Sequence, residues 1–299
     1  MKKIFNLFMV CVLALGFTTG CARSSASEKV KVGLIVSTLN NPFFVKLKDG
    51  AQAKADELGY ELLIMDSQND PAKEVSNMED MTSKGVSIVL LNPVDSDAAI
   101  AAIQVANNLN TPVITLDRIS NAGEVVTHIA SDNVAGGVMA AEYIKEQLGG
   151  EGNIVELEGS AGSSATRDRG AGFNQGIEDA NFNVVAKQSA DFDRTEGLSV
   201  MENILQGKKD IKAVFAHNDE MALGALKALQ DAKLDDVIVV GFDATDDAVE
   251  CVKKGELAAT VAQQPEIIGS LGIETMDKVL NGETVDDFIP VELQLITRD

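Results

Sequence analysis

The chain has 299 residues, a formal net charge of −21, three cysteines and no tryptophan. That length suits two domains with substantial cores. The acidity excludes a nucleic-acid partner, since no clustered basic face offsets repulsion from phosphates. With Cys11 inside the leader described next, only Cys21 and Cys251 remain, so packing and not a disulfide framework must stabilise the fold.

Residues 1–20 read as an export signal: Lys2 and Lys3, a short apolar run from Leu7 to Phe17, then Thr-Thr-Gly. The run is too short for an ordinary membrane span. Cys21 after Gly20 resembles the lipid-acceptor cysteine of bacterial lipoproteins, although Thr18 departs from the usual leucine. Acyl chains there would hold the chain at a membrane surface. Residues 21–29 are polar and Ser-rich, as a flexible tether would be.

From Val30 the chain alternates strands and helices. Val30 to Val36 is an apolar run suited to a strand buried on both faces. Pro42 fits the first turn of a helix that runs to Leu58 and stops at Gly59. Strand Tyr60–Met65, a helix from Pro71 to near Gly85, strand Ile88–Leu91, helix Ala98–Asn108 and strand Val113–Leu116 follow. A second series begins after Asp132: helix Ala135–Leu148, strand Ile154–Leu157, helix Ala165–Ala180, strand Asn183–Ala186, helix Leu198–Gln206, strand Ala213–Ala216, helix Met221–Ala232 and strand Val237–Phe242. The tail adds a helix, strand Ala258–Ala262, a helix from Pro265 and a strand near Leu293. This alternation predicts an α/β fold with parallel sheets covered by helices.

A repeat runs through both series. Asn92 ends SIVLLN and Asp117 ends VITLD; Asn218 ends KAVFAHN and Asp243 ends VIVVGFD at the same spacing. Ligands bind at the carboxyl edge of such sheets, so two facing copies define a cleft. Taken singly, each Asn or Asp is the residue type expected at caps and turns; the repeated spacing favours a joint role. No dinucleotide or phosphate-loop motif is present, and His128 and His217 lack metal-ligand spacing, which predicts no cofactor and no metal. What gathers at the strand ends is carboxylates, arginines, amides and phenylalanines. Carboxylates accept hydroxyl hydrogens, arginine donates in a fixed fork, and aromatic faces cover the C–H face of a sugar ring.

The segments STLNNPFF, ITLDR, RDRGAGF, DFDR, FAHNDEMALGAL, VVGFD and AATVAQQP occur in that order. With them the chain resembles the periplasmic ribose-binding proteins of bacterial ABC importers, from about Val30 to Leu295. The fold is shared with LacI-type repressors, whose DNA-binding segment is replaced here by the export signal. The resemblance implies two Rossmann-like lobes of the type I periplasmic binding protein class, one of residues 30–131 with 264–292 and one of 132–263 with 293–299. Their hinge would lie at Ser131–Asp132, Gln263–Gln264 and Leu293. It also implies the ligand set: Ser37, Asn41, Asp117 and Arg118 bonding from the first lobe; Phe43 and Phe44 on one side of the ring and Phe192 on the other; Arg169, Asn218, Asp243 and Gln263 completing it. His217, beside Asn218, faces away by strand alternation.

Two aspartates and two arginines compensate each other in that set, which suits a neutral ligand. The expected function is binding of D-ribose, hinge closure and delivery to an ABC permease, by a monomer that is periplasmic or anchored through Cys21. Alternatives are another neutral sugar, such as allose or galactofuranose, or a sugar sensor serving a chemoreceptor. An enzyme would need Asp117 and Asp243 as an acid–base pair, and their place in the matched pattern argues against it.

Overall fold

The computed structural model describes residues 29–208 and 210–298. The export signal and Cys21 lie outside the described residues. The first lobe's strands are β1 (Lys31–Val36), β2 (Glu61–Asp66), β3 (Val89–Leu91), β4 (Val113–Leu116) and β5 (Thr127–Ser131). Its helices are α1 (Pro42–Leu58), α2 (Pro71–Ser83) and α3 (Ala99–Asn108). The second lobe holds α4 (Asn133–Leu148), β6 (Glu151–Glu158), α5 (Ser164–Ile177), β7 (Asn181–Ser189), α6 (Arg194–Gly207), β8 (Ala213–Ala216), α7 (Asp219–Asp231), β9 (Ile238–Asp243), α8 (Asp246–Lys254) and β10 (Ala259–Ala262). The tail returns through α9 (Pro265–Leu280) and β11 (Phe288–Val291), then ends in β12 (Gln294–Thr297).

Among the described residues there are two six-stranded sheets, ordered β11-β5-β4-β3-β1-β2 and β12-β10-β9-β8-β6-β7. The orders match strand for strand, so the sequence repeat is a repeat of architecture. All pairings are parallel except β10 with β12. That exception follows from the chain path. β11 arrives through α9, while β12 follows β11 after two residues and enters the other sheet reversed. Three links pass between the sheets: Asp132 between β5 and α4, Gln263–Gln264 between β10 and α9, and Glu292–Leu293 between β11 and β12. They bond to one another, Ser131 Oγ donating to the Gln263 carbonyl (3.4 Å) and Gln264 Nε2 to the Glu292 carbonyl (2.9 Å).

Each sheet is sealed on both faces, as parallel sheets require. In the first lobe α1 and α9 cover a core around Leu34, Leu47, Leu90 and Ile268, and α2 and α3 cover one around Ile35, Met78 and Ile103. In the second, α6 and α7 cover Leu157, Met201 and Val214, and α4 and α5 cover Phe173, Phe215 and Phe242. Helices α4 and α5 approach closely because glycines face each other's backbone. A Cβ on Gly137 would stand 2.2 Å from the Arg169 carbonyl oxygen, and one on Gly172 2.0 Å from that of Val134. This contact fixes the height of α5, and with it Arg169.

Two strands differ from the sequence reading. β5 was not expected, because its polar Thr127 and His128 break the apolar run; the neighbouring strands bury Thr127 and half-bury His128 regardless. The single strand expected near Leu293 is two, β11 and β12, with Leu293 in the link.

Candidate functional site

The loops at the carboxyl ends of both sheets face each other, and the lobes touch directly. Ser96 N donates to the Gly162 carbonyl (2.9 Å), Ile119 N to Ser164 Oγ (3.1 Å) and Arg167 Nη2 to Ser96 Oγ (3.2 Å). Between them lies a small cavity lined by Asn41, Phe43, Phe44, Asp117, Arg118, Ala165, Arg169, Phe192, Asn218, Asp243 and Gln263. Of the ligand set that the resemblance implies, only Ser37 is absent from this wall. Its N–H bonds Asn92 Oδ1 (3.1 Å), its carbonyl accepts from Asn69 N (2.7 Å), and its hydroxyl is buried without a partner. Ala165 is the lining residue that sequence reasoning missed; a methyl group carries no chemical signal.

Helix starts deliver several of these side chains. Asn41 caps α1, its Oδ1 accepting from Phe43 N (2.9 Å), and Pro42 begins the helix. Phe43 and Phe44 therefore leave the first turn edge-to-face, their centroids 5.1 Å apart. Asn218 caps α7 by accepting from Met221 N (2.9 Å), and its Nδ2 reaches the Phe192 carbonyl (3.2 Å). Both asparagines are caps and cavity walls at once, so the two readings of such residues do not compete here.

The aspartates end β4 and β9 on strained backbone. Asp117 has φ 62° and Asp243 φ 114°, and Phe192 lies at φ 60°. Such angles cost free energy in non-glycine residues and concentrate at functional sites. Asp117 Oδ2 accepts from Asn92 Nδ2 (3.1 Å). Asn92 itself does not line the cavity; the first asparagine of the repeat orients the aspartate that does. Asp243 Oδ1 accepts from Gln263 Nε2 (2.6 Å).

The arginines are buried. Arg169 Nε donates to Asn133 Oδ1 (2.8 Å) and Nη1 to the His217 carbonyl (2.5 Å); Nη1 also lies 3.7 Å from Asp243 Oδ1. Its guanidinium covers the Phe242 ring at 3.9 Å. Arg118 lies between the Phe44 and Phe192 rings, 5.1 and 5.2 Å from their centroids, with Nε 3.7 Å from Asp117 Oδ2. Burial pushes both aspartates up from the usual carboxylate range, Asp243 strongly; the arginines beside them pull them back. Burial lowers both arginines, and the aspartates oppose it. Each buried charge is thus met by an opposite one, leaving a cavity with no net demand for an ionic ligand.

Arg118 Nε and Gln263 Oε1 are buried with no hydrogen-bond partner. Buried polar atoms are almost always paired, and a hydroxyl-bearing ligand satisfies both a donor and an acceptor. The His217 ring points away from the cavity, its Nε2 3.0 Å from Glu156 Oε1. His128 Nδ1 lies 3.0 Å from Thr115 Oγ1. Among the described residues, no group of His, Cys, Asp or Glu could hold a metal ion, and no helix is long and apolar enough to cross a membrane.

The sequence pattern of the family described as "Periplasmic binding protein domain" matches residues 32–284. The ribose import binding protein RbsB of Haemophilus influenzae is 56% identical over 297 residues, covering 99% of this chain and 100% of that protein. The RbsB proteins of Escherichia coli K12 and Bacillus subtilis are 54% and 48% identical, each alignment covering 100% of this chain and 99% and 100% of the relative. Among solved structures, an ABC transporter solute binding protein from Bacillus halodurans with bound myo-inositol superposes with a TM-score of 0.85 at 34% identity. The match covers 92% of this chain and 96% of that one. One from Actinobacillus succinogenes with bound D-allose gives 0.86 at 29% identity, over 90% and 98%. This chain belongs to the periplasmic binding protein family, in the group of the ribose import binding proteins.

Proposed function

We propose that the protein binds D-ribose in the interlobe cavity, closes around it, and delivers it to an ABC permease. The observation that carries this reading is the cavity wall: two aspartates and two arginines in mutual compensation, phenylalanines from both lobes, and amides at the ends of the set. Carboxylates and guanidinium groups bond the hydroxyls, while Phe43, Phe44 and Phe192 cover the ring. The relatives' role in ribose import supports the same ligand.

The moving bodies would be residues 30–131 with 264–292 and 132–263 with 293–299, bending at Asp132, Gln263–Gln264 and Leu293. Sugar bridging both lobes stabilises the closed form by its differential affinity. Ser37 acts from behind the wall. The protein works as a monomer, exported and tethered by acylated Cys21, and can present the same closed form to a chemoreceptor. Mass spectrometry of the membrane fraction tests the acylation.

Calorimetric titration with D-ribose, allose, galactose and xylose tests the ligand. Tight one-to-one binding of ribose alone is the expected result. Preference for another sugar would support the second reading, a binder of a different neutral sugar, which the D-allose and myo-inositol complexes of the structural relatives favour. No heat with any sugar would overturn both.

A further inference from the structure

Asp219 is fully buried and lies outside the cavity wall, directly after Asn218. Its carboxylate collects two bonds from the turn that follows β9 and one from β10. Oδ2 accepts from Thr245 N (2.7 Å) and Thr245 Oγ1 (3.1 Å), and Oδ1 accepts from Thr260 Oγ1 (2.6 Å). Thr260 Oγ1 in turn accepts from Ala244 N (3.2 Å). The turn so gripped holds the chain's most displaced non-glycine backbone among the described residues, Asp243 at φ 114°, followed by Ala244 at φ 53°. Space is kept for the carboxylate: a Cβ on Gly241 would stand 2.2 Å from Asp219 Oδ1.

We propose that Asp219 is a positioning residue for sugar binding, holding the Asp243–Ala244 turn in its strained form so that the Asp243 carboxylate meets the ligand. The proposal rests on the reading of the cavity as a sugar site. Strained backbone persists only where its surroundings over-determine it. Here the surroundings are one carboxylate with the N–H of Thr245 and, through Thr260, that of Ala244. Burial pushes the Asp219 carboxyl up to about 7, against the pull of the Thr260 and Thr245 bonds. Such a group is costly to bury without a purpose beyond packing. An amide holds the turn less well. Asn offers one acceptor oxygen: with it toward the Thr245 N–H, its NH₂ faces Thr260 Oγ1, so the Thr260 hydroxyl proton loses the acceptor that fixes it.

The test uses the full chain and the variants D219N, T260V, D243N and the double variant D219N/D243N, titrated with D-ribose. D219N is expected to weaken ribose binding about tenfold, the scale of a lost buried bond to a charged group. T260V, which keeps the shape of the side chain, should weaken it less but measurably. The double variant should bind no more weakly than D243N alone, because Asp219 acts only through Asp243. Wild-type affinity in D219N, or losses that multiply in the double variant, would overturn the proposal. Amide hydrogen exchange of the sugar-free protein reads the turn independently. Exchange at Ala244 and Thr245 should quicken in D219N while the central strand β8 keeps its protection; unchanged exchange at the turn would overturn the proposal. If the wild-type protein itself takes up no ribose, the reading of the cavity fails, and the exchange comparison still decides whether Asp219 holds the turn.

Discussion

Each lobe brings one aspartate and one arginine to the cavity, but the two pairs are held differently. In the second lobe Arg169 is tied on every side: to Asn133, to the His217 carbonyl, to Asp243 and over the Phe242 ring. In the first lobe Arg118 has one long bond, to the Pro93 carbonyl (3.4 Å), lies 3.7 Å from Asp117 Oδ2, and otherwise rests between aromatic rings contributed by both lobes. Arg169 is part of its lobe's fabric. Arg118 is clasped between the lobes, since half of its aromatic sandwich comes with Phe192. The same residue pair therefore plays two parts, one fixed within its lobe and one held between the two.

The largest difference should appear on removing each arginine. Arg169→Met leaves Asp243 buried without its counter-charge, which costs about 3–5 kcal/mol. Arg118→Met leaves Asp117 with its bond from Asn92 and with the charge of Arg169 still acting on it, and should cost about 1–2 kcal/mol. Urea unfolding of the sugar-free variants measures both. Ribose binding should be lost in each, so equal unfolding costs would break the distinction while leaving the ligand set intact.

Two titratable groups of the first lobe, Glu74 and His128, answer to pH in opposite directions. Glu74, on α2, accepts from Val94 N (2.7 Å) through Oε2, while Oε1 has no partner. Burial pushes it up from 4.5 to about 7. The folded state thus holds this proton more tightly than the unfolded chain. Its contribution is fully present below about pH 4.5 and is lost as pH rises through 7. His128 runs the other way. Burial lowers it to about 4, so its contribution is present above 6.5 and is lost as pH falls toward 4. Glu74→Gln removes only the first limb. Between pH 4.5 and 8 the variant should gain about 3 kcal/mol on the wild type. A constant difference across that range would show that Glu74 ionises normally in the fold.

The asparagines of the repeat should diverge by less. Asn92→Ala strips partners from Ser37 N, the Leu116 carbonyl and Asp117 Oδ2. Leaving such buried groups unpaired costs about 1–3 kcal/mol. Asn218→Ala removes a helix cap, costing about 1 kcal/mol, together with a cavity wall. Asn92→Ala should therefore lower the melting temperature more and Asn218→Ala should weaken ribose binding more, a crossing that thermal scans and titrations would reveal.

This crossing also marks what was legible in the sequence. The equal spacing of Asn92–Asp117 and Asn218–Asp243 revealed the duplicated architecture, because strand and helix lengths are set by the sheet. Spacing does not say which side of a loop a side chain leaves from, so it could not tell that Asn92 turns inward while Asn218 faces the cavity. For the same reason it does not place Ser37, whose hydroxyl lies outside the cavity wall. Asp219 was hidden by its type, since an acidic residue at a helix start reads as an ordinary response to the helix dipole. Its partners Thr245 and Thr260 come from elements brought together only by the sheet. β5 was missed because Thr127 and His128 are polar, and the partner that buries His128 is Phe288, 160 residues away in the chain.

The smallest effect is expected where the lobes meet in solvent. Lys46 Nζ on α1 lies 2.7 Å from Asp246 Oδ1 on α8, and the Asp246 side chain is 86% exposed. This pair forms only when the lobes are together, so it favours closure, but an exposed pair contributes less than about 1 kcal/mol. Asp246→Asn should weaken ribose binding by less than about fivefold at low salt, and the difference from wild type should vanish as ionic strength rises and screening shortens the reach of the charges. Calorimetry at two salt concentrations makes the comparison. A loss that persisted at high salt would mean that Asp246 acts through Arg194, which bridges Asp247 and Glu220 beside it, and would move the contact from lobe closure to the internal order of the second lobe.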